Sequence, residues 1–361
     1  MSMRDRERAE AFFGEWLDER EAGDAAGRLV VEQLLEAAYD VPAADPVRRR
    51  IAISTPGAPV VYSHKCSARA GAAPFRMLSE PGGVGISVPE QVALSRNLLR
   101  RLLDHLSWSA AAGPLDAVLD RLIPQDAGAL NEWHGGLGFG VEVADTGPEL
   151  RVYCNVRHGE LADRWQRLID VVGEFADVRA EDAVAEILGI AVPRAVPAGV
   201  AVAVGGGDVR GIRLYAGLLD ATAESAVAAA PQRFAHAERA ISRLVDSYRA
   251  WFGDLGTQGL TLAYDFAVID GVLWPSVVRY KVDLFCEPSS GHGTAALLDW
   301  IEPLARSLGL APAGLRRFAS DLDRHFPGWT FQYLSLGCRD GTQELSAYCV
   351  PGRAGDPVGD G

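Results

Sequence analysis

Hairpin turn signals recur along this chain at nearly even intervals, and a stretch of helical periodicity follows every hairpin but the last. Asp145-Thr-Gly-Pro148, Gly205-Gly-Gly-Asp208, Ile269-Asp-Gly271 and Arg339-Asp-Gly-Thr342 each separate two segments of alternating apolar and polar residues. Extended segments at 58–66 and 74–80, with another at 50–54, supply the first hairpin. If the second strands start at 75, 149, 211, 278 and 343, the spacings are 74, 62, 67 and 65. Near-equal units of this kind indicate a closed repeat. Ten antiparallel strands from adjacent hairpins can close into a barrel without free edges, with the helices outside. The expected fold is α+β, a ten-stranded antiparallel barrel ringed by helices, with residues 1–350 as one domain. Within it, 1–45 is read as a helical N-terminal segment, and the Gly/Pro/Asp-rich stretch 351–361 as a flexible tail.

The helical stretches carry their own signals. Ser87-Val-Pro-Glu90 is a capping box with proline near the first helical position. Val92, Leu99, Leu102 and Leu106 then make one apolar stripe. Leu161, Trp165, Leu168 and Val172 make another, and Phe234, Ala237, Ile241, Leu244 and Tyr248 a third.

Charge excludes some function classes. The 48 acidic residues outnumber the 35 basic ones, giving a net charge of -13, so neither a nucleic-acid surface nor an anionic membrane face is indicated. No apolar run approaches the roughly 20 residues of a spanning helix. The opening MSMRDRERAE is charged where a signal peptide is apolar, so a cytoplasmic location is expected. Cysteines 66, 154, 286, 338 and 349 form no CxxC, and the histidines show no HxxxH or HExxH spacing. Gly135-Gly-Leu-Gly-Phe-Gly140 imitates a dinucleotide loop but precedes a strand where that loop needs a helix.

The chemistry lies in the polar faces of the strands. Glu149, Arg151, Tyr153 and Asn155 share one face of their strand, and Arg213 and Tyr215 share one face of theirs. Arg279, Lys281, Asp283 and Phe285 alternate with apolar partners in the same way, and Lys281 is one of only two lysines in the chain. In the last hairpin Tyr333 and Ser335 share a face, as do Ser346 and Tyr348. Half-buried strands ordinarily turn polar residues to water. Repeated tyrosines two positions from a base fit a lumen better, because guanidinium groups bind polyphosphate bidentately and aromatic faces stabilise a cation.

These segments resemble the dimethylallyltryptophan synthase branch of the ABBA aromatic prenyltransferases, whose barrel is built from ααββ units. The resemblance runs from about residue 50 to 350. It rests on Pro59-Val-Val-Tyr-Ser63, Phe75-Arg-Met-Leu-Ser-Glu-Pro81, Glu149-Leu-Arg-Val-Tyr153, Ile212-Arg-Leu-Tyr215, Arg279-Tyr-Lys281, Tyr333-Leu-Ser-Leu and Leu345-Ser-Ala-Tyr348. It implies transfer of a dimethylallyl or longer prenyl group (geranyl, for example) from its diphosphate to an electron-rich aromatic acceptor. Arg76, Arg151, Arg213 and Lys281, with Arg279, are the implied diphosphate ligands. Tyr153, Tyr215 and Tyr348 are the implied cation shield, with Val61 and Tyr333 on the acceptor side.

One departure matters. The family places a glutamate where this chain has Val61, and that glutamate contacts the indole N–H. His64 and Glu142 are the substitute bases considered, and an acceptor carrying its own activating hydroxyl would need less help. No Asp-Asp pair exists, so magnesium is not expected to be essential. Two other readings stay open: a non-catalytic barrel that binds an amphipathic small molecule, and a cyanobactin-type peptide prenyltransferase with an open barrel end. For the latter, the first helical segment and the C-terminal tail are the places to look for a lid.

Overall fold

The computed structural model describes residues 3–18, 25–39, 59–68, 74–82, 86–133, 136–144, 146–176, 178–253, 255, 259–285, 293–339 and 341–351. The extended segment expected at 50–54, Cys286 and all but the first residue of the C-terminal tail lie outside these residues.

Ten strands form one closed antiparallel barrel in which every neighbour along the chain is a neighbour in the sheet. They are β1 Val60–Ser67, β2 Phe75–Ser79, β3 Leu137–Ala144, β4 Gly147–Asn155, β5 Ala195–Gly205, β6 Asp208–Leu218, β7 Leu260–Ile269, β8 Val272–Phe285, β9 Thr330–Arg339 and β10 Thr342–Val350. Closure is made by β1 against β10, with Tyr62 opposite Cys349 and Ser67 opposite Glu344. This seam joins strands nearly the whole sequence apart and removes both edges.

Turn chemistry sets the strand register. Gly206 and Gly207 between β5 and β6 have φ 59 and 93, and Asp270 and Gly271 between β7 and β8 have φ 53 and 78. Left-handed pairs of this kind are what tight two-residue hairpins require.

Because strand side chains alternate, each strand has an outer and an inner face. Outer residues such as Tyr62, Phe139, Val152, Val202, Leu214 and Leu336 are fully buried in one large core with the helix layer. Burial of each such side chain contributes about 1.5–3 kcal/mol. The first helices are α1 Met3–Asp18 and α2 Ala25–Tyr39, and α1 lays Phe12 against Tyr62 and Phe75 at 4.8 and 6.1 Å between ring centroids. Thus α1 packs in the helix layer against the outer face of β1 and β2. In α3, Val88–His105, the capping box forms as expected, with the Ser87 N–H donating to Glu90 Oε2 at 2.9 Å. Two outer tyrosines are also tied down: the Tyr264 and Tyr280 hydroxyls donate to the Ala229 and Ala226 carbonyls at 2.9 and 2.6 Å.

Candidate functional site

The inner faces divide the lumen along its axis. In each of β4, β6, β8 and β10 the charged residue lies nearer the hairpin turn and the aromatic residue lies farther from it: Arg151 before Tyr153, Arg213 before Tyr215, Lys281 before Phe285, and Glu344 before Tyr348. The turn end therefore collects charge, and the opposite end collects rings.

At the turn end a cavity of about 240 Å³ is lined by Lys65, Glu142, Arg151, Arg213, Asp265, Arg279 and Glu344, among others. A chain of ion pairs crosses it. Arg213 grips Asp265 through two N–H groups, Nη2 to Oδ2 being 2.8 Å, and the Arg279 Nε donates to the same oxygen at 2.7 Å. Arg279 also bonds Glu344, which lies 3.3 Å from the Lys65 ammonium. Lys65 reaches Glu142 at 3.9 Å, and Glu142 in turn pairs with Arg76, whose Nε is 3.2 Å away. Separately, the Arg151 Nε donates to Glu149 at 2.8 Å, and Lys281 stands 3.7 Å from Asp283.

Mutual pairing keeps this network ionised. Burial alone pushes the Asp265 carboxyl up, but Arg213 and Arg279 outweigh it and hold the group well below the carboxylate range. Glu344 is held low in the same way by Arg279, Lys65 and Lys281. Burial lowers the Arg76 guanidinium, yet Tyr348, Glu142 and Glu344 together leave it above its usual value. Lys281 differs. Burial pulls its ammonium down to about 8, and Asp283 only partly compensates.

At the far end the Tyr333 and Tyr348 rings stack 3.9 Å apart at 12°, and Phe285 lies 5.0 Å from Tyr333. Val61, Leu78 and Val350 complete this inner apolar cluster, and Tyr153 packs against it. Tyr153 and Tyr215 face each other at 6.3 Å. Gly140 makes room for Tyr153, since a Cβ there would sit 2.9 Å from the ring. The two zones are stitched together. Arg76 donates to the Ser346 and Tyr348 hydroxyls at 3.0 and 3.2 Å, and Arg213 to the Tyr215 hydroxyl at 3.1 Å.

The structure thus gathers Arg76, Arg151, Arg213, Arg279, Lys281, Tyr153, Tyr215, Tyr333, Tyr348 and Val61 around one lumen. His64 is not among them. It has the outer parity of β1, where its ring stands 5.4 Å from Phe318 and its Nε2 3.0 Å from the Ala313 carbonyl oxygen. Burial also pushes its pKa down to about 4. As a base for lumenal chemistry it is corrected by strand alternation: Val61, Ser63 and Lys65 take the inner face. Glu142 is inside, but Arg76 and Lys65 hold it at the charged end. Lys65, Asp265 and Glu344 also line the cavity at that end, and the spacing of the sequence does not mark them. Alternation places each on an inner face, but none stands beside a tyrosine in the repeating pattern. Among the described residues, no group of three or more His, Cys, Asp or Glu side chains is placed to hold a metal ion.

A closed barrel of ααββ units with a polar lumen is the ABBA, or PT-barrel, fold. Solved structures with this fold superpose on the chain over nearly its whole length. The 5-dimethylallyl tryptophan synthase from Streptomyces coelicolor, in complex with DMASPP and Trp, has a TM-score of 0.70 at 19% identity, covering 97% of this chain and 99% of that one. The 6-dimethylallyltryptophan synthase from Micromonospora olivasterospora, also with DMASPP and Trp, has a TM-score of 0.72 at 16% identity, covering 97% of each chain. PriB in its binary complex with product diphosphate has a TM-score of 0.71 at 17% identity, covering 99% and 100%. No protein-family model matches the sequence, and no curated protein does.

Proposed function

We propose that this protein is an aromatic prenyltransferase, moving a dimethylallyl or longer prenyl group from its diphosphate to an electron-rich aromatic small molecule. One observation carries the reading: a single lumen presents six basic side chains (Lys65, Arg76, Arg151, Arg213, Arg279 and Lys281) at one end and a tyrosine collar at the other. A carrier for an amphipathic molecule would need the rings but not the cations. The solved structures that share the fold include complexes with DMASPP, Trp and diphosphate, which supports the same reading.

In this reading Arg76, Arg151, Arg213, Arg279 and Lys281 hold the diphosphate. The arginines now grip carboxylates and exchange those oxygens for phosphate oxygens, which a guanidinium binds in the same bidentate manner. The allylic C–O bond breaks, its electron pair leaves with the diphosphate, and preorganised cations stabilise that charge as it develops. Tyr153, Tyr215 and Tyr348 turn their faces to the allylic cation. The acceptor, bounded by Val61 and Tyr333, attacks to form the new bond, and its ring proton then passes to the released diphosphate, restoring the aromatic ring. Closure of the barrel keeps water from the cation. The charge needed for the diphosphate comes from side chains, so we also propose that the reaction needs no metal ion.

Thermal-shift titration with dimethylallyl and geranyl diphosphates tests the donor, and product mass from a panel of aromatic acceptors tests the transfer. A rise in melting temperature with at least one donor is expected, with activity surviving EDTA. No shift from either donor would overturn the reading, and loss to EDTA restored by magnesium would overturn its metal-free form.

A further inference from the structure

Val61 leaves the acceptor end without the carboxylate that would receive a ring N–H, and neither substitute considered from sequence supplies it. Another carboxylate stands at the boundary of the two zones. Asp283 follows Lys281 and precedes Phe285 on the inner face of β8, and it is only 5% exposed. Its Oδ1 has no hydrogen-bond partner among the described residues. The Lys281 ammonium is 3.7 Å from that oxygen, within ion-pair range but beyond a hydrogen bond. Two inner hydroxyls share this condition: Ser335, directly opposite Asp283 across the β8–β9 ladder, and Ser63, opposite Tyr348 across the seam. Beyond burial itself, the Asp283 charge is among the influences that raise the Tyr215 and Tyr333 phenols, so it bears on two rings of the collar.

A buried carboxylate oxygen left without a donor is costly and calls for a partner. The orphaned Ser335 hydroxyl directly opposite makes the same demand beside it, and the surrounding wall is aromatic. A ligand that meets all of these conditions is a flat ring bearing a polar hydrogen. We propose that Asp283 is the acceptor-orienting carboxylate of this barrel, its Oδ1 receiving a hydrogen bond from a ring N–H or O–H of the aromatic acceptor. The inference rests on the transferase reading and narrows its acceptor to rings with a free N–H or O–H. It also explains why Val61 is tolerated: the carboxylate sits on the β8 wall instead of on β1.

A rival carboxylate exists. Glu80 is 4% exposed, and its backbone N–H donates to the Pro59 carbonyl at 2.9 Å, extending the β1–β2 ladder past Val60 and Ser79. Ser79 points outward to the Leu34 carbonyl of α2 and Leu78 inward, which gives Glu80 inner parity.

The experiment is calorimetric titration of the full chain, preloaded with dimethylallyl thiolodiphosphate, using indole against 1-methylindole and 1-naphthol against 1-methoxynaphthalene. The wild type should bind the N–H or O–H member of at least one pair about tenfold more tightly. Asp283→Asn should reduce that preference to about twofold or less while still binding the donor analogue. Asp283→Ser serves if the asparagine variant does not fold, and the methylated pairs test the wild type without any variant. Three results would overturn the proposal: no preference in the wild type, an equal preference in wild type and Asp283→Asn, or loss of preference in Glu80→Gln instead. If the donor analogue binds and the preference does not respond to Asp283, only the carboxylate assignment fails. If the analogue does not bind the wild type, the transferase reading fails with it.

Discussion

The two ends of the lumen solve burial in opposite ways. At the turn end, side chains that water would otherwise solvate satisfy one another, and Arg213, Asp265, Arg279, Glu344, Lys65, Glu142 and Arg76 form one continuous chain of charge. At the far end, Tyr333, Tyr348, Phe285 and Val61 pack as an apolar lining. The charged end is stable only as a unit, since removing one member strands another in low dielectric. The aromatic end is additive packing, and single changes there should be absorbed locally. Function is expected to divide along the same line, with diphosphate affinity at one end and acceptor choice and cation lifetime at the other.

The strongest way to break this contrast is Arg213→Ala. It leaves Asp265 half-paired and buried, which should cost about 3–5 kcal/mol of stability. Donor affinity should fall more than about a hundredfold, as loss of a buried charged contact implies. A denaturant midpoint and a donor titration measure both. If stability and binding were barely changed, the charged end would not be a coupled unit.

Next comes Tyr348 at the other end. Tyr348→Phe keeps the ring that stacks on Tyr333 and loses only the hydroxyl that accepts from Arg76, so turnover should fall less than about threefold. Tyr348→Ala should lose turnover about tenfold or more and raise the fraction of prenyl alcohol, because water reaches the cation. Chromatography of both products separates these outcomes. Equal behaviour of the two variants would argue against a role for the aromatic face.

A smaller effect is set by pH. The Lys281 ammonium titrates near 8 in the unliganded protein, so it is charged below that value and increasingly neutral above it. Donor affinity should therefore weaken as pH rises through about 8, by at most about tenfold per unit. Lys281→Arg, which stays charged, should flatten that dependence. A donor titration from pH 6.5 to 9.5 reads it directly.

The smallest functional effect belongs to His64. On the outer face it touches the helix layer, so His64→Gln should change turnover less than about twofold while costing about 1 kcal/mol of stability. A tenfold loss of turnover with stability retained would return His64 to the chemistry.

Much of the fold was legible because hairpins write themselves locally. Asp270-Gly271 and Gly206-Gly207 carry their turn geometry in their own dihedrals, and alternation in Glu149–Asn155 or Arg279–Phe285 separates the two faces of a strand without knowledge of neighbours. Arg/Tyr pairs two residues apart share a face for the same reason. The partners of those arginines were not legible. Asp265 lies among Thr261, Ala263 and Ala267 on its inner face, with nothing nearby to mark it. Glu344 meets Lys65 only because the last strand pairs with the first. His64 misled because one residue of parity decides between lumen and helix layer.

By itself the sequence determined the units of this protein: five hairpins, the helices between them, and which residue types share each strand face. Those follow from interactions within a few residues, where spacing alone governs direction. Only the tertiary structure decided that the faces close on one another, that the arginines are already matched by carboxylates, and that Asp283 lies between cations and rings. Such facts depend on the barrel seam and on contacts between strands far apart in the chain, and the net charge of -13 averages them away.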